Sequence, residues 1–136
     1  MDRTIVIVKP DGVERRLTGE IIARLERKGL SLVAAELRTI PREVAEEHYG
    51  EHADKPFFGD LVDFITRSPA LLMVVEGPEN TYKVVRTLMG ATNPADAAPG
   101  TVRGDFAIEM TENLIHGSDS PESAATEISR FFPGLA

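Results

Sequence analysis

The residues in this 136-residue chain whose types and spacing could do chemistry are His48, His52 and His116, with a few Lys and Arg at element ends. His116 closes the run Asn113-Leu114-Ile115-His116 and is followed by Gly117-Ser118. A glycine there lets backbone or ligand approach closely. A helix is expected just beyond, with Ser120 as its cap and Pro121 at its first position, and a helix N-terminus favours anions. A neutral imidazole carries a free lone pair and can attack phosphorus directly, provided a neighbour holds it in one tautomer. Glu127, about two turns into that helix, is a candidate holder. On generic grounds a satisfied structural histidine is the competing reading.

His48 and His52, in His48-Tyr49-Gly50-Glu51-His52, have metal-ligand spacing if they share a helix face. The run is not H-E-x-x-H, Gly50 weakens a helix between them, and no third ligand stands out. The pair therefore reads as structural or solvent-exposed. No P-loop and no kinase-type glycine-rich loop is present. Phosphate binders must then be single cations and hydroxyls: Lys9 after the first apolar run, Arg86, Arg103 in Pro99-Gly100-Thr101-Val102-Arg103-Gly104, and Thr92. Phosphoryl transfer asks for little more than such cations, positioned donors and an aligned nucleophile.

These groups need a scaffold. Thr4 to Val8 reads as a buried strand that stops at a turn, Lys9-Pro10-Asp11-Gly12. Thr18 should cap a helix with Ile21, Ile22 and Leu25 on its apolar face and Gly29 at its end. Ser31 to Thr39 reads as a second strand and Pro41 to about Tyr49 as a short polar helix. Pro56 to Thr66 carries Phe57, Phe58, Leu61, Val62 and Ile65 at helical spacing, so Phe57 and Phe58 read as core. Ala70 to Val75 is another buried strand. Glu79 to Met89 is helical, with Tyr82, Val85 and Leu88 on one side. Gly90 to Gly104 reads as a long loop, functional or disordered. Phe106 to Met110 is ambiguous, and Asn113 to His116 could be a short last strand. Ala124, Ile128 and Phe131 give the last helix its buried face. The order predicts an α+β sandwich of the ferredoxin-like kind, with a doubly wound parallel sheet as the rival.

Length fits one compact domain over residues 1–136. There is no cysteine, which excludes disulfides and thiolate chemistry and is compatible with a cytoplasmic location. The N-terminus does not read as a signal peptide, and no apolar run reaches the ~20 residues of a membrane helix. The net charge of −7 argues against bulk binding to nucleic acid or anionic membranes, while a local cationic cleft stays open.

In order along nearly the whole chain, the segments at residues 6–13 (VIVKPDGV), 19–30 (GEIIARLERKGL), 48–52 (HYGEH) and 55–58 (KPFF), followed by GATNP, PGTVRGDF and NLIHGSDS, resemble the nucleoside diphosphate kinases. The resemblance implies a ferredoxin-like βαββαβ antiparallel sheet covered by helices, with the long loop in the nucleotide cleft. It implies ping-pong transfer of the γ-phosphoryl from a nucleoside triphosphate, typically ATP, to a nucleoside diphosphate through a phosphohistidine on His116, with Mg²⁺ on the nucleotide phosphates and no protein metal site. Lys9, Arg86, Thr92 and Arg103 would contact phosphates, and Asn113 and Lys9 the sugar hydroxyls. Phe57 would stack on the base with Leu61 and Met110 flanking it, which overturns the core reading of Phe57. Glu127 and Ser118 would orient His116, and Tyr49 would lie beside the transferred group. The family also implies a homo-oligomer, tetramer or hexamer. Ser68 stands where relatives often have Gly, and the longer C-terminal tail of many relatives is missing. A non-catalytic nucleotide-binding or regulatory module on the same fold is the alternative.

Overall fold

The computed structural model describes residues 1–135. A four-stranded antiparallel sheet of order β2-β3-β1-β4 is the base of the fold, with His116 on its edge strand. The strands are β1 (Asp2–Val8), β2 (Ser31–Arg38), β3 (Ala70–Gly77) and β4 (Ile115–Gly117). The helices are α1 (Pro10–Glu14), α2 (Thr18–Arg27), α3 (Arg42–His48), α4 (Phe58–Thr66), α5 (Thr81–Met89), α6 (Val102–Phe106) and α7 (Pro121–Phe131). Antiparallel pairing throughout excludes the doubly wound parallel sheet and matches the ferredoxin-like α+β expectation.

The apolar runs in β1 and β3 are continuous because both sheet faces are covered. Side chains alternate across a strand. Val6 and Val8 accordingly join Met73, Val75, Ile21 and Leu25 of α2, and Val85 and Met89 of α5. Ile5 and Ile7 join Leu72, Val74, Ala45 of α3, Val62 and Ile65 of α4, and Ile128 and Phe131 of α7. Each fully buried Val or Ile of this kind contributes about 1.5–3 kcal/mol, so the central strand is a rigid base for whatever stands at its end.

Several local expectations change. Lys9-Pro10-Asp11-Gly12 is no simple turn: it opens α1, with Lys9 at the cap position, Pro10 inside the first turn and Asp11 as the acidic residue there. Proline's preset φ and missing N–H suit that place. Thr18 does not cap α2; it is the helix's first residue, because Leu17 takes the cap position after Arg16 bends the chain at φ 61°. The buried stripe of α5 is Thr81, Val85 and Met89, with Tyr82 and Leu88 only half-buried at its flanks. The 90–104 segment holds a short turn of helix at Pro94–Asp96 and the start of α6. Residues 107–114 form no strand. The last strand starts at Ile115 because Leu114 has φ 76°, which breaks the extended backbone.

Candidate active site

Register decides where His116 points. His116 pairs with Ile7, and Ile115 with Val8. Cross-strand partners share a face, so His116 projects toward α3 and α7 while Ile115 enters the core under α2 and α5. Ser120 caps α7 as expected, its Oγ accepting the Ser123 N–H at 2.9 Å. That start places Glu127 on the inward side of α7, level with His116. Gly117 lets this strand pack closely on α5: a Cβ there would lie 2.7 Å from Met89 Sδ and 3.0 Å from a Val85 methyl, so those side chains would have to shift.

His116 Nε2 and Glu127 Oε1 are 3.0 Å apart. The same carboxylate accepts from Ser118 Oγ at 2.7 Å and from Ser123 Oγ at 3.0 Å. Burial pushes the Glu127 carboxyl up, but the hydrogen bond and charge of a protonated His116 and the Ser118 hydroxyl outweigh it and hold the group at about 2. An ionised Glu127 makes the His116 Nε2 the protonated nitrogen, since a carboxylate only accepts. The Nδ1 lone pair is then left free.

His116 opens on a cavity of about 510 Å³ whose wall includes Lys9, Tyr49, Arg86, Thr92, Arg103, Asn113 and Glu127. Lys9 Nζ donates to Asn113 Oδ1 at 2.8 Å. Burial first, then the charge of Arg103, lowers Lys9 to about 8 against the opposing pull of Asp11. Arg103 is buried and spends donors on three carbonyls, those of Asn113, Gly90 and Ile115, at 3.3, 3.1 and 2.6 Å. Burial and Arg86 bring it down to about 10. It therefore ties the long loop to β4 and, with five N–H groups, keeps donors for an anion. Arg86 Nη1 donates to the Gly117 carbonyl at 3.2 Å. Burial, then the charge of Glu127, raises the Tyr49 phenol to about 12, so it remains a donor.

The backbone beneath is held against strain. A non-glycine residue at positive φ costs about 1–3 kcal/mol and needs support. Leu114 has it: its N–H donates to the buried Asp11 Oδ2 at 3.0 Å and its carbonyl accepts from the Lys9 N–H at 2.9 Å. A Cβ on Gly12 would meet that carbonyl at 3.0 Å. Lys9, Asn113 and His116 are thus positioned by one knot.

Of the residues expected from sequence, Lys9, Tyr49, Arg86, Thr92, Arg103, Asn113, His116 and Glu127 share the cavity. Ser118 sits buried beneath it on Glu127. Phe57, Leu61 and Met110 do not line it. Phe57 is 44% exposed, its ring 5.4 Å from that of His52, which does line the wall, and Met110 is 56% exposed. Sequence reasoning missed His48, Asp119 and Ser123, also wall residues. His48 stands edge-on to His116, ring centroids 4.9 Å apart. The sequence set it beside His52 as a structural or solvent-exposed pair, and only tertiary packing reveals His116 as its neighbour.

Among the described residues, His48, His116 and Glu127 form one group close enough to share a metal ion. Glu127 is already committed to three donors, and Lys9 and Arg86 share its cavity. The arrangement therefore favours an anion over a resident cation. It can present a neutral imidazole nitrogen to an anionic electrophile, hold that electrophile with cations, and stabilise the cationic ring that results.

The family model described as nucleoside diphosphate kinase matches residues 2–135. A nucleoside diphosphate kinase of Frankia casuarinae is 62% identical over 136 residues, covering 100% of this chain and 98% of that protein. One of Archaeoglobus fulgidus is 63% identical, covering 97% of this chain and 87% of its own. A solved structure of a family member from Babesia bovis superposes with TM-score 0.95 at 48% identity, over 99% of this chain and 90% of that one. The enzyme from Halobacterium salinarum, solved in complex with CDP, gives 0.93 at 53% identity, over 96% and 87%.

Proposed function

The chain belongs to the nucleoside diphosphate kinase family, and we propose that it moves the γ-phosphoryl of a nucleoside triphosphate to a nucleoside diphosphate by way of His116. One observation carries the assignment of His116: its Nε2 is tied to an ionised Glu127 at 3.0 Å while the ring faces a cavity lined by Lys9, Arg86 and Arg103. In the first half-reaction the Nδ1 lone pair forms a bond to the γ-phosphorus. The bond from that phosphorus to the β,γ-bridging oxygen breaks, and the diphosphate leaves with the electron pair. The ring becomes cationic, and the Glu127 charge, fixed by Ser118 and Ser123, is stronger against that cation than against the neutral ring. It therefore acts where catalysis needs it, on the charge that develops. Lys9, Arg86 and Arg103 neutralise phosphate oxygens, and the Thr92 and Tyr49 hydroxyls donate to them. In the second half-reaction a terminal oxygen of another diphosphate attacks the phosphohistidine, and the ring leaves neutral.

Lys9 and Asn113 hold the sugar hydroxyls. Phe57 stacks on the base with Leu61 and Met110 beside it; a flat ring accepts any base. Mg²⁺ comes with the nucleotide as part of the substrate and neutralises phosphate charge there. The wall fits such a substrate, because Asp119 and Glu51 supply hard oxygen acceptors for a hydrated ion. Residues 1–136 act as one domain. The exposed edge of β2, with Leu37 61% exposed, offers a surface for a second copy of the chain, in a tetramer or hexamer. No helix among the described residues is long and apolar enough to cross a membrane; the working location is the cytoplasm.

The test is incubation with γ-labelled ATP and Mg²⁺, followed by denaturation. The expected label on the protein is acid-labile and alkali-stable, is discharged by GDP, and is lost in His116→Ala. A His116→Ala protein that labels like the wild type would sink the assignment.

A further inference from the structure

Arg130 lies on α7, about one turn beyond Glu127, and no role given above uses it. Its Nη1 donates to His48 Nδ1 at 3.0 Å. A guanidinium is always protonated and has no acceptor. The contact therefore has one reading: Nδ1 of His48 accepts, and the ring proton sits on Nε2. A fully protonated His48 would lose that bond and set a second cation against the guanidinium. His48 also shares the neighbourhood of the nucleophile. One ligand atom from each of His48, His116 and Glu127 lies within 4.8 Å of the other two. A cationic or rotated His48 would compete with His116 for the one carboxylate that holds it.

We propose that Arg130 is a positioning residue for phosphoryl transfer: by fixing His48 as the neutral Nε2–H tautomer, it reserves Glu127 for His116. The proposal rests on His116 being the nucleophile. Glu127 on α7 draws His48 toward protonation; burial, His116 of β4, Arg130 of α7 and Lys9 oppose it and hold His48 at about 3. Glu47 of α3 stands 3.6 Å from Arg130 Nε, a nitrogen with no hydrogen-bond partner, and steadies the guanidinium from behind. Arg130 is reachable. A second cavity of about 290 Å³ adjoins the first, lined by Glu47, Glu122, Thr126 and Arg130, and the two share His48, Glu51, Ser123 and Glu127.

The decisive experiment combines nitrogen NMR of His48 with single-turnover labelling from saturating γ-labelled ATP. Wild-type His48 should show its proton on Nε2. Arg130→Leu should lose the single tautomer and label about tenfold more slowly, the scale of one lost charged hydrogen bond, with the KM for ATP unchanged. Arg130→Lys should retain more of the rate, and methylguanidinium entering the second cavity should restore labelling to Arg130→Leu. A purely structural role predicts no such rescue. The proposal is overturned if wild-type His48 carries its proton on Nδ1, a result that needs no variant to fold. It is equally overturned if folded Arg130→Leu labels at the wild-type rate, or slows with the His48 tautomer intact, or is not rescued. Wild-type protein that takes no label at all would instead defeat the assignment of His116, leaving the tautomer measurement to judge Arg130 alone.

Discussion

The floor of the cavity and its mouth are built by opposite means. At the floor, His116, Glu127, Ser118 and Ser123 form a connected hydrogen-bonded set on β4, α7 and the turn between them, and Glu127 and Ser118 are buried. The proposed base-binding mouth lies outside the cavity wall, and there Phe57 and Met110 leave apolar side chains in solvent, at 44% and 56% exposure. The floor fixes one atom in one orientation, where small displacements cost rate. In the proposed binding mode the mouth offers a flat apolar surface, which would tolerate different bases. On that proposal, precision is concentrated where every substrate is alike, at the phosphates. It is relaxed where substrates differ.

The comparison would break first at Glu127. Replacing it with Ala should slow phosphorylation of His116 by about a hundredfold at saturating ATP, since a charged hydrogen bond and the stabilisation of the cationic ring are both lost. Glu127→Gln, which keeps an acceptor without the charge, should fall between. The loss should lie in the rate and leave KM nearly unchanged. A Glu127→Ala protein that labels at the wild-type rate but needs far more ATP would move Glu127 from the floor's chemistry to simple binding.

Between floor and mouth stands Lys9, whose charge titrates near the working range. Lowered to about 8, it is a cation below that pH and loses its proton as the pH rises through it. The kcat/KM for nucleotide should therefore fall above about pH 8, roughly tenfold per unit. Stability moves the other way. The folded value lies below the ordinary 10.5, so burying the charged amine costs stability below about pH 8, and that cost is relieved between 8 and 10.5. A kcat/KM flat through pH 9, measured alongside thermal unfolding over the same range, would remove Lys9 from phosphate binding.

The sheet was legible because its apolar runs are continuous and its turns carry Gly and Pro, and the capped last helix because Ser120 and Pro121 announce it. The cationic residues Lys9, Arg86 and Arg103 were legible only as isolated cations at element ends, and the family resemblance was needed to join them into one phosphate site. The fold shows why. Arg103 spends three of its nitrogens on carbonyls 10 to 13 residues away in sequence, and Lys9 meets Asn113 across 104 residues, contacts no local pattern encodes. His48 and Arg130 are 82 residues apart and were invisible for the same reason. Ser68, which departs from the usual Gly, finds a partner in the fold. Its Oγ donates to Glu14, which Arg67 also grips while reaching Glu112 beside Asn113. These groups are exposed, so the tie contributes little energy.

The smallest effect belongs to the mouth. Phe57→Ala removes an aromatic face worth about 1–3 kcal/mol per stacked base, but here the ring is half-solvated, so the lower end applies. The KM for nucleotide should rise about fivefold, for purine and pyrimidine diphosphates alike, with labelling of His116 at saturation unchanged. Phe57 takes the cap position of α4 and Phe58 rather than Phe57 packs into the core, so thermal stability should shift little. Steady-state KM values for GDP and CDP, set against the single-turnover rate, separate the two regions. An equal loss for both bases in KM alone keeps binding at the mouth and chemistry at the floor. A fall in the saturated labelling rate would mean that stacking at Phe57 helps aim the γ-phosphoryl at His116, and the two regions would then have to be treated as one.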